Sequence, residues 1–221
     1  MSDRALIVFL KHPEPGTVKT RLIPVLGAEI AADLYRALCE AVLAGTVPRP
    51  GEFERLVFFA PPEAAEQVRG WLPSVRLLPQ AGGDLGARMG GAFARAFARG
   101  AERAALIGTD SPAVSRATVA EALEALDAAD LVLGPAEDGG YYLLALRQPY
   151  PGLFDGVAWS TAVVLEETVA RAEKAGLRVH LLAPLRDVDT PDDLRDEWHR
   201  IRPLLEARPD LRQRIEERLA G

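Results

Sequence analysis

The sequence is marked first by what it omits. It holds one cysteine, Cys39, in 221 residues. No disulfide can form within the chain, and that usage suits a reducing compartment. There is no apolar stretch of about 18 residues, so a membrane-spanning helix is not expected. The short apolar run at the start meets Lys11 at once and no cleavage pattern follows it, which makes a cytoplasmic location the default expectation. Dense Lys/Arg runs are absent and the formal net charge is −6. A nucleic-acid binder would show a basic stripe, so nucleic acid is not an expected partner. A small anionic substrate remains compatible, because a few well-placed cations outweigh the overall sign.

Asparagine is missing altogether and lysine nearly so: only Lys11, Lys19 and Lys174 stand among the arginines. Two of those three lie in one short loop. A chain that writes Arg almost everywhere and Lys twice in that loop has a use for a compact ammonium there, with chance as the competing explanation. Scarce Asn and Cys with many charges also fit a thermophile, and a GC-rich genome gives the same bias. Apolar residues make up 48% and charged residues 26%. This is folded-protein composition, so disorder is expected only at the ends. One domain spanning 1–221 is expected, with residues 200–221 as a helical extension.

Short apolar runs alternate with helical periodicity. Strands are expected at 5–10, 55–60, 75–78, 104–108, 130–134, 141–146 and 178–183. Helices are expected at 28–45, 63–72, 86–99, 116–127, from a Ser160 or Thr161 cap to 175, and at 192–205 and 210–219. In the first helix, Ile30, Leu34, Leu38, Ala41 and Val42 recur every three or four residues. Alternating strands and helices of this length imply an α/β fold, a three-layer α/β/α sandwich around a mostly parallel sheet. Ligands of such sheets bind beyond the carboxyl ends of the strands. Lys11–Arg21 follow the first strand, 80–88 the third, Asp110 the fourth and Asp187/Asp189 the last, whereas Asp138 precedes a strand.

Those positions carry the chemistry. The loop Lys11-His12-Pro13-Glu14-Pro15-Gly16-Thr17-Val18-Lys19-Thr20-Arg21 combines a rigid turn, a Gly16 that admits backbone amides to a ligand, and the cations Lys19 and Arg21. A diphosphate is held by amides, a point charge and a forked guanidinium. The alternative is a solvated basic loop. The P-loop spacing is absent, so ATPase chemistry is not indicated. Asp110, in Gly-Thr-Asp-Ser-Pro, is a carboxylate at the end of a wholly apolar strand, where Mg²⁺ or Mn²⁺ meets phosphates; it also reads as a helix N-cap. Asp187 and Asp189 alternate onto one side of an extended segment, and capping by Asp189 or Thr190 before Pro191 competes there. Gln80, Asp84, Gly86 and Arg88 form a Gly-rich entry to a helix able to take a base or ribose edge. Asp138-Gly139-Gly140 reads first as a tight turn. Trp159-Ser160 lines an acceptor pocket or staples a helix. His12, His180 and His199 do not cluster at a metal spacing, and Cys39 reads as packing.

Taken in order, the segments KHPEPGTVKTRL, GGDLGARM, IGTDSP, EDGGYYLLAL, WST and DVDTPDDL resemble the bacterial DUF2064 family. Its members are described as glycosyltransferase-A-like, or as transferases associated with radical-SAM/selenodomain proteins. The resemblance covers roughly residues 5–195 and extends distantly to molybdenum-cofactor and phospholactate guanylyltransferases. It implies the Rossmann-like nucleotide-diphospho-sugar transferase (GT-A) fold, Asp110 and Asp189 as ligands of Mg²⁺ or Mn²⁺, and Lys19 and Arg21 as the phosphate-binding cations of the first loop, to which Lys11 is added as a nucleotide-side candidate. Two departures stand out: the first loop lacks G-G-x-G-x-R, and the metal motif is Asp-Ser-Pro where many glycosyltransferases have Asp-x-Asp.

The expected activity is transfer from a nucleotide-activated donor to a small-molecule acceptor. Asp110, Lys19 and Asp189 are the catalytic candidates. Asp138, Gly139, Gly140, Trp159 and Ser160 stand on the acceptor side. Glycosyl transfer from a nucleotide sugar is the first reading. Nucleotidyl transfer from an NTP, releasing pyrophosphate, is the rival, and a nucleotide-binding protein without turnover is the third. A homodimer is compatible with all three.

Overall fold

The computed structural model describes residues 2–150 and 152–220. The chain divides into two compact units: Met1–His12, Val47–Gly108 and Arg116–Leu185 in the first, and Pro13–Thr46, Thr109–Ser115 and Arg186–Gly221 in the second.

The first unit contains the whole sheet. Its strands are β1 (Arg4–Lys11), β2 (Glu54–Ala60), β3 (Leu77–Pro79), β4 (Arg103–Ile107), β5 (Leu131–Pro135), β6 (Tyr141–Leu146) and β7 (Val179–Leu181). They lie in the order β3-β2-β1-β4-β6-β5-β7. Only β6 runs against its neighbours β4 and β5; the other pairings are parallel. The near-continuous apolar runs of β1 and β4 are what a strand buried on both faces requires, and Leu6, Ile7, Val8, Ala105 and Ile107 are fully enclosed. The third strand sits slightly later than its sequence suggests, because the parallel register begins only where Leu77 meets Val57.

Reversal of β6 changes the place of Asp138 on the sheet. Leu143 pairs with Ile107 and Leu146 with Ala104, so β6 begins where β4 ends. Asp138, which precedes its strand, therefore lies at the edge of the sheet where β4 ends. Sequence position alone placed it at the opposite edge.

Helices α3 (Ala65–Trp71), α4 (Leu85–Phe97), α5 (Arg116–Ala125) and α6 (Val164–Lys174) complete this unit. Along α4 the buried residues Gly86, Met89, Ala92, Phe93 and Ala96 form one stripe at three- and four-residue spacing. It packs on Ile7, Phe58, Leu106, Leu133 and Leu144, each large side chain contributing roughly 1.5–3 kcal/mol of burial. Asp84 caps α4 by accepting from the Ala87 amide at 2.8 Å. The expected Ser160 or Thr161 cap on α6 does not form. That helix starts at Val164 without a side-chain cap, and Thr161 donates instead to the Ala158 carbonyl at 2.7 Å.

The second unit is helical: a 3₁₀ turn (Thr20–Leu22), α1 (Ile23–Leu26), α2 (Ala28–Gly45), α7 (Pro191–Asp196), α8 (Trp198–Leu204) and α9 (Pro209–Ala220). Leu34, Leu38, Val188, Leu194, Ile201, Leu205, Leu211 and Ile215 make its core, so α8 and α9 are anchored by buried side chains. The helix expected over 192–205 is broken at Glu197, which ends α7 and precedes α8.

Candidate active site

The second unit brings together three charged groups from distant parts of the chain. In the first loop, Glu14-Pro15-Gly16-Thr17 closes a turn with the Thr17 amide donating to the Glu14 carbonyl at 3.1 Å and Gly16 at φ +86°. Pro followed by a positive-φ Gly is the signature of a type II turn. Three residues on, Lys19 itself adopts left-handed backbone, φ 46° and ψ 42°, and its carbonyl accepts from Leu22 to start the 3₁₀ turn. A side chain with a Cβ rarely takes that conformation. Here it buries the lysine: its side chain is 2% exposed.

Asp110 and Asp189 are aligned by backbone. The Val188 amide donates to the Asp110 carbonyl at 3.0 Å, and Ser111 Oγ donates to the Arg186 carbonyl at 3.1 Å, so the two segments run side by side. Capping of α7 falls to Thr190, whose hydroxyl accepts from the Asp193 amide at 3.2 Å while the Asp193 carboxylate accepts from the Thr190 amide at 2.8 Å. With Thr190 as the cap, the Asp189 carboxylate is released. It accepts from Lys19 Nζ at 2.8 Å, and Asp110 Oδ1 contacts the same ammonium.

Behind this centre, α2 presents Tyr35 and Cys39 one turn apart. Thr109 Oγ1 donates to Tyr35 Oη at 3.2 Å and Cys39 Sγ donates to Thr109 Oγ1 at 3.2 Å. These bonds fix the residue next to Asp110. The Tyr35 ring centroid lies 6.0 Å from Lys19 Nζ, within cation–π range. Neither Tyr35 nor Thr109 stood out in the sequence; a hydroxyl one helical turn from the lone cysteine was the available signal. Burial disfavours the Lys19 ammonium, but the carboxylates of Asp110 and then Asp189 more than offset it, and its pKa is raised above the ordinary lysine value. Burial pushes the Cys39 thiol up to about 12, which makes it inert packing, not a nucleophile.

A hard divalent cation fits this donor set. Two carboxylates converge, and their side chains are 43% and 40% exposed, leaving them accessible on the outer side. Among the described residues no group of three or more His, Cys, Asp or Glu could hold a metal alone. Mg²⁺ and Mn²⁺ need only one or two carboxylates when phosphate oxygens and water complete their shell.

The remaining candidates divide between the units. Gly16 and an exposed Arg21 share the second unit with Lys19. Lys11 ends β1 in the first unit and is exposed. Also in the first unit, Gln80 is buried and its amide donates to the Leu10 and Phe58 carbonyls at 3.3 and 3.2 Å, so it stitches strand ends together. Arg88 reaches the Gln80 side chain and the Asp84 carbonyl at 3.5 and 3.3 Å. Gly86 has a packing role: a Cβ there would meet the Phe154 carbonyl at 2.8 Å and the Trp159 ring at 2.9 Å. Trp159 joins an aromatic run through Phe154 to Phe93, with centroids 6.4 and 6.3 Å apart. Asp138 accepts from the Gly140 amide at 2.9 Å, the turn geometry its sequence suggested. Gly139, at φ +90°, lies where a Cβ would be 2.0 Å from the Ala162 carbonyl, so the Asp138 turn and the Trp159-Ser160 loop are packed together.

A seven-stranded, mostly parallel sheet with flanking helices is the α/β fold of the nucleotide-diphospho-sugar transferases. The chain is 36% identical to a candidate nucleotide-diphospho-sugar transferase from Desulfovibrio desulfuricans G20, with a TM-score of 0.86 over 97% of this chain and 99% of that one. It belongs to the DUF2064 family, described as an uncharacterized protein conserved in bacteria, whose family model matches residues 43–161. Asp110 lies inside the matched segment; Lys19 and Asp189 lie outside it. More distant likenesses show the fold alone. CMP:2-keto-3-deoxy-manno-octonic acid synthetase complexed with CTP is 13% identical, with a TM-score of 0.56 over 91% of this chain and 99% of that one. Rv0371c from Mycobacterium tuberculosis H37Rv, complexed with manganese, is 19% identical, with a TM-score of 0.50 over 87% and 96%. No curated protein matches the chain. Among the described residues no helix is long and apolar enough to cross a membrane.

Proposed function

We propose that this chain is a metal-dependent transferase that uses a nucleotide-activated donor, acting as a glycosyltransferase from a nucleotide sugar. The observation that carries the proposal is the meeting of Lys19, Asp110 and Asp189. The likeness to the Desulfovibrio protein supports the donor class, and the manganese complex of Rv0371c supports the choice of ion. Asp110 and Asp189 would hold Mg²⁺ or Mn²⁺, which neutralises linked phosphates and stabilises charge on the leaving group.

The chain's own residues do the rest. The Gly16 turn and the exposed Arg21 supply amides and a forked cation for phosphate oxygens. Lys19, in contact with both carboxylates, lowers their mutual repulsion. Lys11, Gln80, Asp84, Gly86 and Arg88 form the nucleotide side of the proposal, and Gln80 acts there by orienting Arg88. Asp138, Gly139, Gly140, Trp159 and Ser160 form the acceptor side. Positioning and charge stabilisation then supply most of the rate. One catalytic domain spanning 1–221 remains part of the proposal.

Nucleotidyl transfer is the second reading, favoured by the shared fold of the CTP-complexed synthetase. The products separate the two, since sugar transfer releases a nucleoside diphosphate and nucleotidyl transfer releases pyrophosphate. The test is a thermal-shift screen of NTPs and nucleotide sugars with and without Mn²⁺, followed by product analysis with the best binder. A ligand at 100 times its Kd stabilises by about 2.7 kcal/mol. The shift should need Mn²⁺ and disappear in Asp110→Asn. If no nucleotide raises the melting temperature with Mn²⁺ present, the transferase reading is to be abandoned.

A further inference from the structure

Carboxylates attract a metal cation by their negative charge, and a neighbouring ammonium weakens that attraction. Here the buried ammonium of Lys19 touches both proposed ligands. Two carboxylates against one ammonium leave one net negative charge. The geometry points to Lys19 as the site's selectivity device: it holds the Asp110–Asp189 pair at that charge, so the pair rejects a bare divalent cation and accepts one that arrives already bound to linked phosphates. This rests on the metal-assisted reading above and adds the form in which the metal is taken.

Three observations carry it. First, the lysine side chain is 2% exposed while its partners are 43% and 40% exposed. The ammonium is therefore an interior fixture, and an incoming ion meets carboxylates already half neutralised from behind. Second, the carboxylates do not depend on Lys19 for their approach. Backbone bonds join their segments, and the Thr190–Asp193 box fixes the start of α7. Taking the ammonium away changes the charge more than the spacing. Third, among the described residues no third His, Cys, Asp or Glu joins the pair in a group that could hold a metal. Water and the oxygens of what the ion carries then complete its shell, as is usual for an ion held by one or two carboxylates.

Charge then sets the order of affinities. A bare divalent cation is repelled by the nearby ammonium, and two unopposed carboxylates would bind it more tightly. A divalent pyrophosphate complex is itself negative, so a pair carrying two net charges would repel it and a pair carrying one does so less. Exposed Arg21, two residues on, adds attraction for the phosphates. Lys19 thus pushes the two affinities in opposite directions.

The experiment measures bound Mn²⁺ by electron paramagnetic resonance on the full chain, with Mn²⁺ alone and with equimolar inorganic pyrophosphate. Wild type should bind the pyrophosphate complex at least tenfold more tightly than bare Mn²⁺. Lys19→Met should bind bare Mn²⁺ at least tenfold more tightly than wild type does and the pyrophosphate complex at least tenfold more weakly. Lys19→Arg, which keeps the charge, should retain the wild-type order. A Lys19→Met chain that gains nothing for bare Mn²⁺ overturns the proposal, as does a wild type that binds bare Mn²⁺ as well as the complex. The wild-type comparison needs no variant to fold. If wild type binds Mn²⁺ in neither form, the metal-assisted reading itself has failed. If it prefers the complex while Lys19→Met shows no reversal, that reading stands and only the role given to Lys19 falls.

Discussion

Lys19 and Ser160 are the described non-glycine residues with positive φ, at 46° and 64°, and their surroundings are otherwise opposite. Lys19 is buried, with its charge held between two aspartates and an aromatic ring nearby. Ser160 is exposed, and its side chain has no hydrogen-bond partner among the described residues. Left-handed backbone costs a residue with a Cβ about 1–2 kcal/mol. At Lys19 the side chain itself supplies the opposing energy, because only this turn carries its ammonium to the carboxylates. At Ser160 the opposing energy comes from neighbours: Thr161 bonds back to Ala158, and Ala162 packs against Gly139. The same backbone state is a consequence of charge in one loop and of packing in the other, so strain alone does not mark a functional residue.

The largest effect should come from stripping the charges that hold Lys19. The double variant Asp110→Asn/Asp189→Asn leaves a buried ammonium without a carboxylate. A broken buried pair costs about 3–5 kcal/mol, and partial exposure of these carboxylates argues for the lower end, about 3 kcal/mol. Urea unfolding measures it. In the wild-type chain the Lys19 contribution is present below the ordinary lysine pKa and is lost only as pH rises through its raised folded value; in the double variant burial alone acts on the ammonium and lowers its pKa, so the difference should grow as pH falls from the ordinary lysine value toward neutrality. Adding Lys19→Met to the double variant should restore most of the stability, since no charge is then stranded. A loss under about 1 kcal/mol would mean that the ion pairs do not support the turn, and the contrast with Ser160 would dissolve.

The packing side of the contrast is probed at Gly139. An alanine there would need φ near +90° and would place Cβ 2.0 Å from the Ala162 carbonyl. Gly139→Ala should cost about 2 kcal/mol by displacing the Ser160 loop, with no change in Mn²⁺ binding. A melting curve like that of wild type would show that Ala162 moves aside freely.

These two loops were unequally legible in the sequence. The apolar runs of β1, β4 and β6 and the stripe of α2 reveal the α/β class, because burial on a sheet or one helix face writes itself as periodicity. Lys19, Asp110 and Asp189 stood out by type and by position after strands. That Asp189 is released from capping follows from Thr190 and Pro191 only once the cap geometry is known. Reversal of β6 was not legible: a buried strand reads the same in either direction, and Asp138 was assigned to the far edge for that reason. Gln80 resembled a ligand group because a buried amide that ties strand ends has the same sequence signature as one that reads a base. The Tyr35–Thr109–Cys39 contact joins segments 70 or more residues apart, and no local pattern announces it.

The smallest effect is expected at Ser160, where a change of sign is informative. Glycine tolerates positive φ, so Ser160→Gly removes about 1–2 kcal/mol of strain and adds about 0.5–1 kcal/mol of unfolded-chain entropy. The net should be a gain of about 0.5 kcal/mol, seen as a slightly higher melting temperature. Lys19→Gly relieves the same strain yet should lose about 2 kcal/mol, because it deletes the ammonium with it. If Ser160→Gly instead destabilises by more than about 1 kcal/mol, its hydroxyl has a bonding role that the loop geometry does not reveal. If it gains stability but slows transfer once the donor is known, the strained turn serves the acceptor side and not the fold, and the two left-handed residues would be alike after all.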